Sequence, residues 1–147
     1  MFQVSRHFHC ALVLCVLTVA GCFGDSVEHI ERAAVSGTVT YDGERLPEGS
    51  IQFVPDVDAS GKRVRGKAVQ ALISNGRYSL AADQGPTVCP NKILINASQK
   101  TGKFQELDGE KIEIHKQYLP AKYNSESTLR YEVKSGENTA NFSLESE

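Results

Sequence analysis

Short segments of alternating apolar and polar residues, separated by turn-forming pairs, constrain this chain more than any other feature. Asp42-Gly43, Asn75-Gly76 and Ser135-Gly136 each stand between two such segments. Asp-Gly and Asn-Gly favour tight type I′ turns, because glycine adopts positive φ at no steric cost and Asp or Asn tolerates it. A period of two is typical of half-buried strands, and no long segment has the 3.6-residue period of a helix. The sequence therefore predicts an all-β antiparallel sandwich of seven to eight strands.

The same alternation assigns particular strands and a core. Asn75-Gly76 joins residues 68–73 to residues 77–81 in the strongest hairpin signal of the chain. The nearly continuous apolar run at 92–97 is typical of a central strand. The side chains that we expect in the core are Val35, Val39, Ile51, Phe53, Val69, Ala71, Ile73, Tyr78, Leu80, Ile93, Ile95, Leu129, Tyr131, Val133, Phe142 and Leu144.

The later part of the chain is expected to be more irregular. Residues 99–109 are polar and predict a long loop, and Ile112 and Ile114 then alternate with polar residues as a short extended edge. Ser135-Gly136 predicts a last hairpin between residues 128–134 and 139–144. On this prediction the final two strands pair with each other.

The first 21 residues differ from everything that follows. They hold one charged residue, Arg6, then an apolar run from Cys10 to Leu17 and small residues at Ala20-Gly21. This is the pattern of a secretory signal peptide. As a helix, the 11 residues from Cys10 to Ala20 would span about 16 Å, about half of a hydrocarbon core of about 30 Å. We therefore interpret residues 1–21 as a cleaved signal, with a short uncleaved anchor as the alternative.

Residues 17–22, Leu-Thr-Val-Ala-Gly-Cys, resemble the bacterial lipobox. The resemblance implies that Cys22 is acylated, as by palmitate, and becomes the new N-terminus of a membrane-bound lipoprotein. Phe23 stands where an Asp would favour the inner membrane in some bacteria, so the outer membrane is preferred. Residues 22–34 lack strand alternation and predict a tether to a domain at 35–147. An ordinary signal that leaves a free Cys22 is the alternative.

Cysteine usage agrees with lipidation. Cys10 and Cys15 lie in the segment that would be removed, so a lipid on Cys22 leaves Cys89 alone in the domain. No neighbouring base activates Cys89, and we expect a small packing residue. A disulfide between Cys22 and Cys89 is the competing account.

The sequence offers few groups that could carry catalysis. After residue 21 it holds two histidines, His29 and His115, and the chain has no Cys-x-x-Cys, His-Glu-x-x-His or Gly-x-Ser-x-Gly motif. A formal net charge of -2 gives no electrostatic footprint for nucleic acid. We therefore predict a protein that is not an enzyme, has no cofactor and has no nucleic-acid partner.

One segment matches the first half of a calcium loop. Asp56, Asp58 and Ser60 place oxygen donors at alternate positions. The twelfth position is Lys67, where a bidentate Glu should stand, and residues 62–65 add three cations. We interpret the segment as a solvated loop, with a calcium site as the alternative.

Five motifs together resemble a known family. They are Val-Ser-Gly-Thr-Val-Thr-Tyr-Asp-Gly at 35–43, Leu-Pro-Glu-Gly-Ser-Ile-Gln-Phe-Val-Pro at 46–55, Asn-Gly-Arg-Tyr-Ser-Leu at 75–80, Leu-Pro-Ala-Lys-Tyr-Asn at 119–124 and Asn-Phe-Ser-Leu at 141–144. They are similar to small bacterial lipoproteins with a carboxypeptidase regulatory-like domain. The resemblance implies a transthyretin-like (prealbumin-like) sandwich without catalytic residues, because that domain is an accessory and holds none of the enzyme's zinc ligands.

These expectations combine into a non-catalytic, lipid-anchored β-sandwich of the bacterial cell envelope, structural or protein-binding. Its partners would be the membrane, through Cys22, and an unidentified envelope protein or polysaccharide. The alternative is a carbohydrate- or peptide-binding accessory to a separate envelope enzyme, which an exposed aromatic row would favour. Tyr118 and Tyr123 are the candidates for such a row.

Overall fold

The computed structural model describes residues 30–146, so the predicted signal and most of the predicted tether lie outside the described residues. The strands within this part are β1 (Ala34–Tyr41), β2 (Glu44–Arg45), β3 (Glu48–Pro55), β4 (Val69–Ser74), β5 (Arg77–Leu80), β6 (Pro90–Asn96), β7 (Ser98–Leu107), β8 (Glu110–Gln117), β9 (Arg130–Glu132), β10 (Glu137–Thr139) and β11 (Phe142–Leu144). A short 3-10 helix, Ala121–Tyr123, separates β8 from β9. No described helix is long and apolar enough to span a bilayer.

Seven strands form one curled sheet in the order β10-β1-β5-β4-β3-β6-β9, and β2 and β11 pair with the second half of β1. The two ends of this order meet. The Tyr131 hydroxyl in β9 donates a hydrogen bond to the carbonyl oxygen of Thr139 in β10 at 3.1 Å, and the rings of Tyr131 and Phe142 are 6.5 Å apart. The sheet therefore encloses one core, and the predicted all-β, sandwich-like fold is confirmed.

The two predicted type I′ turns form. Asp42 and Gly43 have φ of 51° and 82°, and Asn75 and Gly76 have φ of 50° and 71°. Positive φ at both central residues defines this turn, whose twist matches that of the flanking strands. The backbone N–H of Gly76 also donates to the carbonyl oxygen of Leu46 at 2.7 Å. The hairpin turn is thus fastened to the chain that leads into β3.

The prediction of a long loop at 99–109 is wrong. This segment forms most of β7, which pairs with β8 through a turn at Asp108 and Gly109, with φ of 51° and 85°. Polar residues dominate both faces of the segment, so the alternation that indicates a half-buried strand is absent. Backbone pairing needs no such alternation, and the Asp-Gly pair was the available signal.

The predicted last hairpin around Ser135-Gly136 is also wrong. β9 pairs with β6, whereas β10 and β11 both pair with β1 in parallel. The chain therefore crosses from one end of the sheet order to the other between Glu132 and Glu137. The Asn138 side chain holds this crossing: its amide nitrogen donates to the carbonyl oxygens of Lys134 at 2.8 Å and Ala34 at 3.1 Å.

The core is close to the predicted one. Most of its predicted members are buried, and Val69, Leu129, Tyr131 and Phe142 are partly buried and pack against the others. The buried hydrophobic residues that the strand pattern missed are Ala33, Leu46, Cys89, Ala97, Leu119, Tyr123 and Ala140. They were missed because most of them lie in loops or at strand ends, where burial depends on how connections fold over the sheet.

The end of the predicted tether is already part of the fold. The N–H of Ala33 donates to the carbonyl oxygen of Pro86 at 3.1 Å. The carbonyl oxygen of Glu31 accepts a hydrogen bond from the N–H of Val88 at 3.0 Å. These contacts lie close in sequence to Pro90, the first residue of β6. β7 begins at the other end of β6, beyond Asn96, so the N-terminal entry and β7 are about 20 Å apart.

Candidate binding surface

β7 and β8 form a two-stranded antiparallel ribbon. Within the described residues these strands pair only with each other, from Ser98 opposite Gln117 at the base to Leu107 opposite Glu110 at the tip. An isolated hairpin is marginally stable in water. The attachment of the ribbon to the sandwich is therefore important for its order.

Side-chain and backbone bonds join the base of the ribbon to the end of β6. The N–H of the buried Ala97 donates to Gln117 Oε1 at 2.9 Å, and Gln117 Nε2 donates to Asn96 Oδ1 at 3.2 Å. The N–H of Tyr118 donates to the carbonyl oxygen of Ala97 at 3.1 Å. These bonds fix the direction in which the ribbon leaves the sheet.

The two strands of the ribbon differ in regularity. The register shifts between Lys100 and Phe104, so three residues of β7 oppose Ile114 alone. The Thr101 hydroxyl donates to the carbonyl oxygen of Ile114 at 2.6 Å within this bulge. A bulge disturbs an edge strand and hinders the addition of another strand. β8 has no such interruption, so its outer edge is the regular one.

Apolar side chains are exposed along the ribbon. Leu107, Ile112 and Ile114 have exposed fractions of 56%, 40% and 37%, and the cross-strand register places them on one face. Phe104 lies on the opposite face and is 60% exposed. Several exposed apolar side chains on one free element indicate an interaction surface.

A groove of about 750 Å³ lies beside the base of the ribbon. It is lined by residues of β3, β4 and the ribbon, among them Leu72, which is 77% exposed. His115 also lines it, opposite Lys100 in the ribbon. By the strand register, the groove therefore lies on the Phe104 face of the ribbon, opposite the face of Ile112 and Ile114.

The segment that matches the first half of a calcium loop uses its carboxylates in other contacts. Asp58 Oδ1 accepts hydrogen bonds from the Ser60 hydroxyl at 2.6 Å and from the N–H groups of Ser60 at 2.8 Å and Lys62 at 3.0 Å. The Ser60 hydroxyl, followed by the Lys62 N–H, lowers the pKa of Asp58. The Asp56 carboxylate pairs instead with Arg130. In residues 30–146, no three His, Cys, Asp or Glu side chains are grouped to hold a metal ion.

Cys89 is buried near the start of β6 and has no disulfide partner among residues 30–146. Burial raises its pKa. The Asn91 amide nitrogen lies 3.6 Å from its sulfur. A thiol in such surroundings stays protonated and reacts slowly.

The two tyrosine candidates do not form an exposed row. Tyr123 is buried, and its hydroxyl accepts a hydrogen bond from the N–H of Glu145 at 2.8 Å. Tyr118 is half-buried and packs edge-on against Tyr41, with ring centroids 5.9 Å apart. Both rings hold the segment after the ribbon against the sandwich.

Cys22 and His29 lie outside the described residues. No protein-family model, curated protein or solved structure matches the chain. The resemblance to regulatory-like domains stays a prediction from the motifs. The predicted extended edge at Ile112 and Ile114 is confirmed as β8. Sequence reasoning missed β7 and its pairing with β8, although Asp108-Gly109 could have indicated this hairpin.

Proposed function

We propose that this protein is a non-catalytic, lipid-anchored module of the bacterial cell envelope that binds a protein through the β7–β8 ribbon. One observation carries the proposal: the chain enters the sandwich beside Pro86 and Val88, and the ribbon leaves it at the other end of β6, beyond Asn96. A membrane anchor preceding Glu31 would therefore leave the ribbon directed away from the bilayer.

The dimensions support this arrangement. Residues 22–30, if fully extended, would reach about 30 Å, and the eight residues of β8 span about 27 Å. Burial of acyl chains contributes about 0.8 kcal/mol per CH₂, so two or more chains on Cys22 would hold the protein at the membrane. The exposed apolar face of Leu107, Ile112 and Ile114 would then be accessible to envelope proteins.

A protein partner fits the ribbon better than a polysaccharide does. The outer edge of β8 offers backbone donors and acceptors in strand geometry, and two alternate side chains at its centre, Ile112 and Ile114, are apolar. Strand addition uses both features. The three apolar residues on this face are aliphatic and lack the flat aromatic surface on which sugars stack.

The anchor is tested by mass spectrometry of the protein from native membranes. We expect an acylated N-terminal peptide that begins at Cys22. The Cys22→Ser variant should either be soluble or keep its unprocessed N-terminal segment. Cys89→Ser is the matched control and should remain anchored. An unmodified N-terminus at any other residue would contradict the lipoprotein assignment.

The binding surface is tested separately, by a photo-crosslinking amino acid placed at Ile112 in the intact envelope. We expect a protein adduct from Ile112 and none from Ala59, an exposed control in the loop near the N-terminal entry. No adduct at Ile112, or equal adducts at both positions, would contradict binding through the ribbon.

A further inference from the structure

We infer that β8 is a self-complementary edge, and that two copies of this chain join by antiparallel pairing of their β8 strands. A second copy of the chain is then the partner of the ribbon. This pairing rests on the ribbon being the binding surface proposed above, but it does not require the lipid anchor. The charges and apolar residues of β8 itself favour a second copy of the chain as the occupant of this edge.

β8 is the edge that can accept another strand. It runs for eight residues, Glu-Lys-Ile-Glu-Ile-His-Lys-Gln, without glycine, proline or a bulge. Its inner edge pairs with β7, and within the described residues its outer edge pairs with no strand. Unpaired N–H and C=O groups along such an edge are a template for another strand. The bulge after Lys100 makes the outer edge of β7 the poorer template.

The side chains of β8 match their own copies in one register. With a two-fold axis at Glu113, Ile112 lies opposite Ile114 of the second copy, and Glu110 lies opposite Lys116. The symmetry produces each pair twice. Apolar and oppositely charged pairs directly opposite each other stabilise antiparallel strands. Within one ribbon Glu110 faces Leu107 and Lys116 faces Gln99, so neither charge has an opposite charge directly across from it.

The other face of β8 tolerates this register. It brings the two Glu113 carboxylates opposite each other, but each is already paired with Lys100 Nζ at 3.4 Å in its own ribbon. Lys111 and His115 flank Glu113 on the same face. Lys100 and Lys111 of the two copies therefore place four positive charges around the two central carboxylates.

Neighbouring registers lose these matches. An axis at Ile114 would place Ile112 opposite Lys116. An axis at Ile112 would pair Lys111 with Glu113 but place Ile114 opposite Glu110. The Glu113-centred register alone places every isoleucine opposite an isoleucine and Glu110 opposite Lys116, and it closes as a two-fold dimer rather than an open chain.

Disulfide trapping in native membranes tests the register with the full chain. Opposed residues have Cβ atoms about 5 Å apart, close to disulfide geometry, so Glu113→Cys should give a covalent dimer on oxidation. Lys111→Cys is the matched control, on the same face of the same strand. Its two copies would lie about 13 Å apart and should not crosslink. Mixing Lys111→Cys with His115→Cys should give the mixed dimer.

Charge exchange tests the association without a covalent bond. In sedimentation equilibrium of the detergent-solubilised chain, Glu110→Lys and Lys116→Glu should each weaken the dimer by about tenfold. The double variant should restore it, whereas Glu44→Lys, an exposed charge on β2, should change nothing.

Several outcomes would overturn the inference: a monomeric wild-type chain, equal crosslinking at 111 and 113, or no restoration in the double variant. If Ile112 crosslinks to another protein while the chain is monomeric, the proposed binding function stands and self-association is rejected. If Ile112 gives no adduct and the chain is monomeric, both fail.

Discussion

The Tyr78 hydroxyl donates a 2.7 Å hydrogen bond to the carbonyl oxygen of Ala140. This bond links β5 to the connection between β10 and β11, and it passes beside Gly37 in β1. A Cβ atom at position 37 would lie 1.8 Å from the same Ala140 oxygen and 3.1 Å from the Tyr78 hydroxyl oxygen. The absence of a side chain at Gly37 therefore lets the connection between β10 and β11 approach β1.

Gly37→Ala should destabilise the domain by about 2 kcal/mol or more, because backbone must move to relieve the overlap with Ala140. Urea unfolding measures the loss. Ser36→Ala, at the adjacent exposed position, is the control and should stay within about 0.5 kcal/mol of wild type. Equal stabilities for the two variants would mean that the connection between β10 and β11 does not pack on Gly37.

Tyr78→Phe should cost about 1 to 3 kcal/mol, because the Ala140 oxygen loses a donor in a buried position. Tyr131→Phe is the control, since the Tyr131 hydroxyl makes a similar bond to Thr139 at an exposed site. We expect its free energy of unfolding to change by less than that of Tyr78→Phe. The reverse order would contradict the burial of the Tyr78 bond.

Alkaline pH should destabilise the wild type through Tyr78. Burial, followed by the nearby Tyr131, raises the pKa of Tyr78 above the ordinary value of 10.0. Above about pH 10 the unfolded tyrosine ionises while the folded one stays protonated, so the free energy of unfolding falls by up to about 1.4 kcal/mol per pH unit. The stability difference between wild type and Tyr78→Phe should therefore be constant below about pH 9 and shrink above pH 10. A constant difference up to about pH 11 would contradict the raised pKa.

Gly76→Ala should cost more than Gly43→Ala, although both glycines have positive φ. At Gly43 an added Cβ meets nothing within 4 Å, so backbone strain of about 1 kcal/mol is the main cost. At Gly76 the Cβ would lie 2.8 Å from Arg45 Cβ and 3.0 Å from the Val39 carbonyl oxygen. Urea unfolding should show this ordering, and similar losses at both sites would contradict it.

The strands that flank Gly76 provide a second comparison. Ile73→Ala should cost about 2 to 5 kcal/mol, because the side chain is buried and leaves a cavity. Arg77→Ala should be nearly silent, since its side chain is exposed. A large loss from Arg77→Ala would contradict the inward and outward assignment of both strands.

Calcium should not stabilise the protein through the Asp58 loop. Asp58 already accepts three hydrogen bonds from Ser60 and Lys62, and Asp56 pairs with Arg130. A site with a dissociation constant of about 0.1 mM would add about 1.4 kcal/mol at about 1 mM free calcium. Thermal unfolding with calcium and with chelator should coincide. An increase in melting temperature that Asp58→Asn abolishes would show that calcium binds here.

The amino-acid sequence by itself determined the local features of this protein. Positive φ at Asp42-Gly43 and Asn75-Gly76 is a property of the residues in the turn, and alternation places Ile51, Phe53, Ile93 and Ile95 in the core because strand side chains alternate between faces.

Only the tertiary structure decided which strands pair over long distances. β9 and β10 are neighbours in sequence but lie at opposite ends of the sheet order, because Asn138 and Gly37 favour a crossing that no local pattern encodes. The same is true of the candidate surface. Ile112 and Ile114 are apolar residues of a strand, and whether a sheet covers them or leaves them exposed depends on where the ribbon leaves β6.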